Sequence, residues 1–154
     1  MIDAELDSLA KRSRAYLNAI SADLDPQLAT LLHRYMCILI SANIDKSIHL
    51  ILTDYATKNG SVQLKQYVSK RYARGTNYNT SRLIAALSVF DAQWGYEFEQ
   101  QISANDLKEK LDSIYGIRNS IAHGEQANVS RPSLDGYFEA HEKIIGVLKK
   151  IVLG

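Results

Sequence analysis

The chain has 154 residues, a single cysteine, two prolines and a formal net charge of +1. That length suits one domain over 1–154 with a real core, and the near-zero charge leaves any case for nucleic acid to local patches. Cys37, alone and inside an apolar run, reads as a buried thiol in a reducing compartment.

The opening "MIDAELDSLAKRS" is acidic and polar and carries no apolar leader segment. Period 3.6 begins at once, with Leu6, Leu9, Ala10, Leu17 and Ile20 striping a helix from about Asp3 to Ala22. Asp25-Pro26 then supplies a cap and a proline at the first helical position. The second helix runs from there to about Thr57 and is apolar on most sides, which predicts a long central helix. Its most apolar stretch, "YMCILISANI", is too short to span a bilayer and is flanked by Arg34, Asp45 and Lys46, so a cytoplasmic protein without membrane contact is expected. After "KNG", a short helix is predicted over 62–72. Asn79 or Thr80 caps another to about Asp91, and a short segment is possible over 95–102. Ser103 and Asp106 resemble a capping box opening a helix to His123, with Gly124 as its C-terminal cap. The last helix runs from about Ser133 to Leu153 on a stripe that includes Leu134, Phe138, Ile144, Leu148 and Val152. No alternation of period two suggests a sheet. The expectation is an all-α, up-and-down bundle of five to six helices.

The stretch "IRNSIAHG" (117–124) breaks its own pattern. At about 100° per residue, Leu107, Leu111, Ile114 and Ile121 share one side of the helix, and Arg118 falls among them. A guanidinium there must be paired or open onto water. Asp45, on the same wheel face as Leu31, Tyr35, Ile38 and Ala42, is the candidate partner for a short, bidentate pair, with Lys46 at the edge of that face. Asn119 and His123 share a face, whereas Arg118 and His123 diverge by about 140°. A second copy of the helix, or a loosened last turn, could bring them to one atom. The structural alternative is a buried Arg118–Asp45 pair and a helix-end histidine. His33, His49, His123 and His141 are dispersed without zinc-ligand spacing, so no metal or other cofactor is called for; His141 fits a core role.

Between Lys58 and Arg82 stand six basic residues and no acidic one. Lys70, Arg71 and Arg74 are interleaved with Tyr72 and Tyr78, and Tyr67 lies just upstream. Cations with rings suit single-stranded RNA, and a solvated helical face explains the same run without a ligand.

"RNSIAHG" resembles the Arg-x4-His motif of the HEPN superfamily. With "TNYNTSRLIAALSVFD" before it and a final amphipathic helix after it, the layout is most similar to the RiboL-PSP type, over roughly Leu28 to Leu153. The resemblance implies a metal-independent endoribonuclease with its site at a homodimer interface, acting as a toxin or phage-defence effector under an antitoxin or other protein regulator. It implies His123 as general acid/base, Arg118 as phosphate ligand, Asn119 as orienting residue and Asp45 as supporting acid. A catalytically silent HEPN module that binds RNA, a nucleotide or a protein partner is the alternative it leaves open.

Overall fold

The computed structural model describes residues 1–75 and 77–154. Among them seven helices follow in order: α1 (Ile2–Ala19), α2 (Pro26–Asn59), α3 (Val62–Tyr72), α4 (Thr80–Phe90), α5 (Ala92–Ala104), α6 (Leu107–Ala122) and α7 (Arg131–Leu153). The class is all-α, as expected, with more helices than the five to six expected. The surplus is α5, expected only as a short segment. Gly95, the start of that expected segment, is buried inside the helix, and Phe98 and Ile102 anchor it in the core.

At its start α2 is fixed by Asp25, whose Oδ1 accepts from the N–H groups of Gln27 and Leu28 at 2.9 and 3.2 Å. This satisfies donors that an uncapped helix leaves orphaned. Its 34 residues make a rod of about 50 Å, packed by α1, α3, α6 and α7. Met36, Cys37, Ile40, Ile44, Ile48, Ile51 and Leu52 form the core side of the rod. By length and composition α2 could cross a membrane, but 56% of its apolar window is buried inside the fold, as in a core helix.

The opposite side of α2 is less buried than its apolar composition as a central helix implies. Leu28, Leu31, Tyr35 and Ile38 are 44, 58, 53 and 38% exposed, Ala42 and Lys46 are exposed, and Asp45 is half-buried. Their alternating spacing of three and four residues is that of a coiled-coil seam. Ion pairs Arg14–Glu142 and Lys149–Asp3 join α1 to α7. His141 is fully buried on α7, its Nδ1 bonded to the Phe138 carbonyl.

The expected capping box is absent. Ser103 lies within α5, and Asp106, at φ 55, precedes α6 without a side-chain capping bond. The left-handed turn places Asp106 outside the geometry in which an N-cap side chain reaches the helix N–H groups.

Candidate active site

Leu107, Leu111, Ile114 and Tyr115 bury the first part of α6. The helix runs antiparallel to α2: Tyr115 meets α2 at Ser41 and Asp45, while the chain after α6 is tied to α2 nearer its start. There Arg34 Nε donates to the Ala127 carbonyl at 2.8 Å, and His33 Nδ1 lies 3.0 Å from the Val129 carbonyl. Between these ties the last turn of α6 emerges from the core. Arg118, Asn119 and Ile121 are half-buried, and His123 is exposed.

The helix end has a defined geometry. Glu125 N–H donates to the Ser120 carbonyl at 2.9 Å and Gly124 N–H to that of Ile121 at 3.1 Å, the bond pair of a Schellman cap. Gly124 has φ +75, a conformation with little cost only for glycine. His123 is the cap residue itself, its N–H bonded to the Asn119 carbonyl at 3.0 Å. This cap holds the histidine at a fixed place one turn beyond Asn119.

Asp45 does not pair with Arg118 as expected. Its Oδ1 accepts a hydrogen bond of 2.7 Å from the Tyr115 hydroxyl, and no ion pair within 4 Å involves Arg118 among the described residues. Tyr115 stands three residues before Arg118 on the same face, at the level of α2 where Asp45 emerges, and so reaches the carboxylate first. The chain at Gly75 closes the other side, so tightly that a Cβ there would stand 2.0 Å from Asp45 Oδ2. Burial raises the Asp45 carboxyl above the usual aspartate range, opposed by the Tyr115 hydrogen bond and the Arg118 charge. Burial, with Asp45 alongside, pushes the Tyr115 phenol up, so it remains a donor. Arg118 instead donates a long bond of 3.5 Å to Asn119 Oδ1. A polar cleft of about 440 Å³ opens beside this group between α4, α5 and α6, and Asn119 lines it.

Lys70, Arg71 and Arg74 are exposed, as a role with RNA requires. Tyr72 and Tyr78 are not: both are buried, at 9 and 3% exposure. The stacking role expected of them is corrected, because their rings are committed to packing; Tyr72 lies 5.9 Å from Phe90. Tyr67 is the exposed ring of α3, at 64%, and lines a groove of about 730 Å³ with Arg71 and Arg82. Helical spacing carries the signal, since Val68 and Tyr72 are one turn apart on the packed face and Tyr67 is off it. Sequence reading also missed Tyr115 and Gly75. Tyr115 was visible on the same wheel as Arg118, whereas the approach of Gly75 to Asp45 is a tertiary contact with no local signature.

Among the described residues no group of three or more His, Cys, Asp or Glu side chains is placed to hold a metal ion. Fold and site together define an all-α domain that presents an arginine–histidine motif at the end of its penultimate helix. The chain belongs to the RiboL-PSP-HEPN family, whose model matches residues 5–153. HEPN domains are often ribonucleases, which puts this chain among nuclease-like or RNA-related modules. No curated protein and no solved structure shows significant similarity to it.

Proposed function

We propose that the protein is a metal-independent endoribonuclease whose site is completed by a second copy of the chain. The observation that carries this reading is Arg118: a half-buried guanidinium at a helix end with no carboxylate within ion-pair distance among the described residues, since Asp45 is bound by Tyr115. Such a group retains its capacity for an external anion, and a phosphodiester fits its planar fork.

In the reaction, the substrate's 2′-oxygen forms a bond to phosphorus and the bond from phosphorus to the 5′-oxygen breaks. The proton of the 2′-hydroxyl passes to a base, and an acid gives one to the leaving 5′-oxygen. His123 takes one of these roles, as histidine exchanges protons near neutral pH, and His123 of a second copy takes the other. Arg118 stabilises the charge building on the phosphate, Asn119 orients it, and Asp45 supports the arginine through space. The product is a 2′,3′-cyclic phosphate. The seam of Leu28, Leu31, Tyr35, Ile38 and Ala42 on α2 leads to Asp45 and supplies the apolar surface for pairing across a twofold axis. Lys70, Arg71 and Arg74 extend a basic track toward the site, because the chain at Gly75 packs on Asp45. A cytoplasmic toxin or phage-defence role, held in check by an antitoxin or another protein regulator, suits such an activity.

The test is incubation of purified protein with a mixed RNA pool in EDTA, beside His123→Ala and Arg118→Ala. Cleavage by the wild type alone is expected, each variant losing about 10²-fold or more. Intact RNA with all three proteins folded and dimeric would instead mark a catalytically silent module that binds RNA, a nucleotide or a protein. Equal cleavage by all three sinks the assignment of the site.

A further inference from the structure

The cleft beside Asn119 is not required by the cleavage step, and its lining has a definite chemistry. Asn119 belongs both to the motif and to the cleft wall, so a phosphate on Arg118 brings its nucleoside to the cleft mouth. Asn77 lines the cleft, and its Oδ1 is buried with no hydrogen-bond partner, an acceptor that is costly to leave unmet. Gly116 sits in the interior of α6, where glycine weakens a helix. A Cβ there would meet nothing within 4 Å, so packing does not require the glycine. Its missing side chain keeps the cleft open.

The available groups divide into two sets. Acceptors are the exposed Glu99 carboxylate and the second oxygen of Asp112, whose Oδ1 accepts the Thr80 N–H at 2.8 Å. Donors are the Lys108 ammonium, the Ser81 hydroxyl and the side-chain amides of Asn79 and Asn119. The oxygen of Asn79 caps α4 through the Arg82 N–H at 3.0 Å, and that of Asn119 faces Arg118, which leaves both NH₂ groups for a ligand. Guanine offers adjacent N1–H and N2–H donors to match a carboxylate, and O6 to match an amide N–H. Adenine, cytosine and uracil lack the paired donors.

We infer that this cleft is a nucleobase subsite selecting guanine in the nucleotide whose phosphate rests on Arg118. The inference rests on the reading of Arg118 as a phosphate ligand. The test titrates the full chain with guanosine 3′-monophosphate, cytidine 3′-monophosphate and inorganic phosphate, following backbone and asparagine side-chain amides by NMR. Guanosine 3′-monophosphate is expected to shift Asn77, Asn79, Gly116 and Asn119 and to bind about tenfold tighter than the other two probes. Glu99→Gln and Gly116→Leu, both at exposed positions, are expected to erase that tenfold preference while inorganic phosphate binds as before. Equal affinity for all three probes, or shifts confined to 118–123, overturns the inference. Equal binding of the two nucleotides, both tighter than phosphate, overturns the choice of guanine. Failure of the nuclease reading is separable: guanosine 3′-monophosphate held in the cleft by a protein that leaves RNA intact supports the subsite and removes only the cleavage step.

Discussion

Asp45 and Arg118 carry the difference between a packing motif and a reactive one. Breaking a buried ion pair by removing one partner costs about 3–5 kcal/mol, whereas Asp45 is held by a hydroxyl that an asparagine oxygen can also accept from. Because burial raises the Asp45 carboxyl, its charged form is disfavoured in the fold above the unfolded-state value, and neutralising it removes that penalty. Asp45→Asn is therefore expected to cost less than about 1 kcal/mol in urea unfolding at pH 7; a loss of 3 kcal/mol or more would restore the ion-pair account. His141 behaves in the opposite sense. Burial lowers its value from 6.5, so the unfolded chain takes the proton first as pH falls through that value, and stability present above it is lost below it. Tm is expected to drop between pH 7.5 and 5, with a shallower drop in His141→Leu; the same slope in both would assign the acid sensitivity elsewhere. Sequence alone placed Asp45 and Arg118 on facing surfaces but could not decide which donor reaches the carboxylate, since Tyr115 shares the wheel face and only the α2–α6 register separates them.

Helix ends were legible where local chemistry sets them. Asp25-Pro26 and Asn79 cap α2 and α4 as their sequences imply, and Gly124 closes α6. Ser103 and Asp106 were misread because α5 continues past the point where a cap was expected, driven by burial of Phe98 and Ile102 rather than by propensity. The α6 cap holds His123, to which the proposed reaction gives the proton transfers. Gly124→Ala places a Cβ at φ +75, with an expected loss of about 1–2 kcal/mol and of cleavage activity beyond what the lost stability explains. Full activity with intact stability would show that the cap does not position the histidine. Gly116→Ala, by contrast, is expected to raise stability by up to about 1 kcal/mol, since nothing in the fold uses that glycine. A destabilised Gly116→Ala would mean that packing demands the bare position.

At the scale of the whole molecule, burial separates the two faces of α2. Composition showed an apolar helix, and one side of it is indeed core, yet periodicity could not say that Leu31, Tyr35 and Ile38 stay uncovered within one chain. The all-α layout was legible from period 3.6 and the helix caps along the chain, and the family match over residues 5–153 agrees with it. If a second copy covers the seam, Leu31→Glu with Tyr35→Glu yields folded monomer in analytical ultracentrifugation, and RNA cleavage falls with the dimer. A wild-type protein monomeric at assay concentration and still active would remove the second copy from the site. The most direct measurement of the central claim is the chemistry of the RNA ends. Fragments made in EDTA, resolved by mass spectrometry, are expected to carry 2′,3′-cyclic phosphate and 5′-hydroxyl termini, and a 2′-deoxy nucleotide at the cut position is expected to block that cut. Fragments with 3′-hydroxyl and 5′-phosphate termini, or cutting that ignores the 2′-deoxy substitution, would contradict attack by the 2′-hydroxyl and with it the roles given to Arg118 and His123.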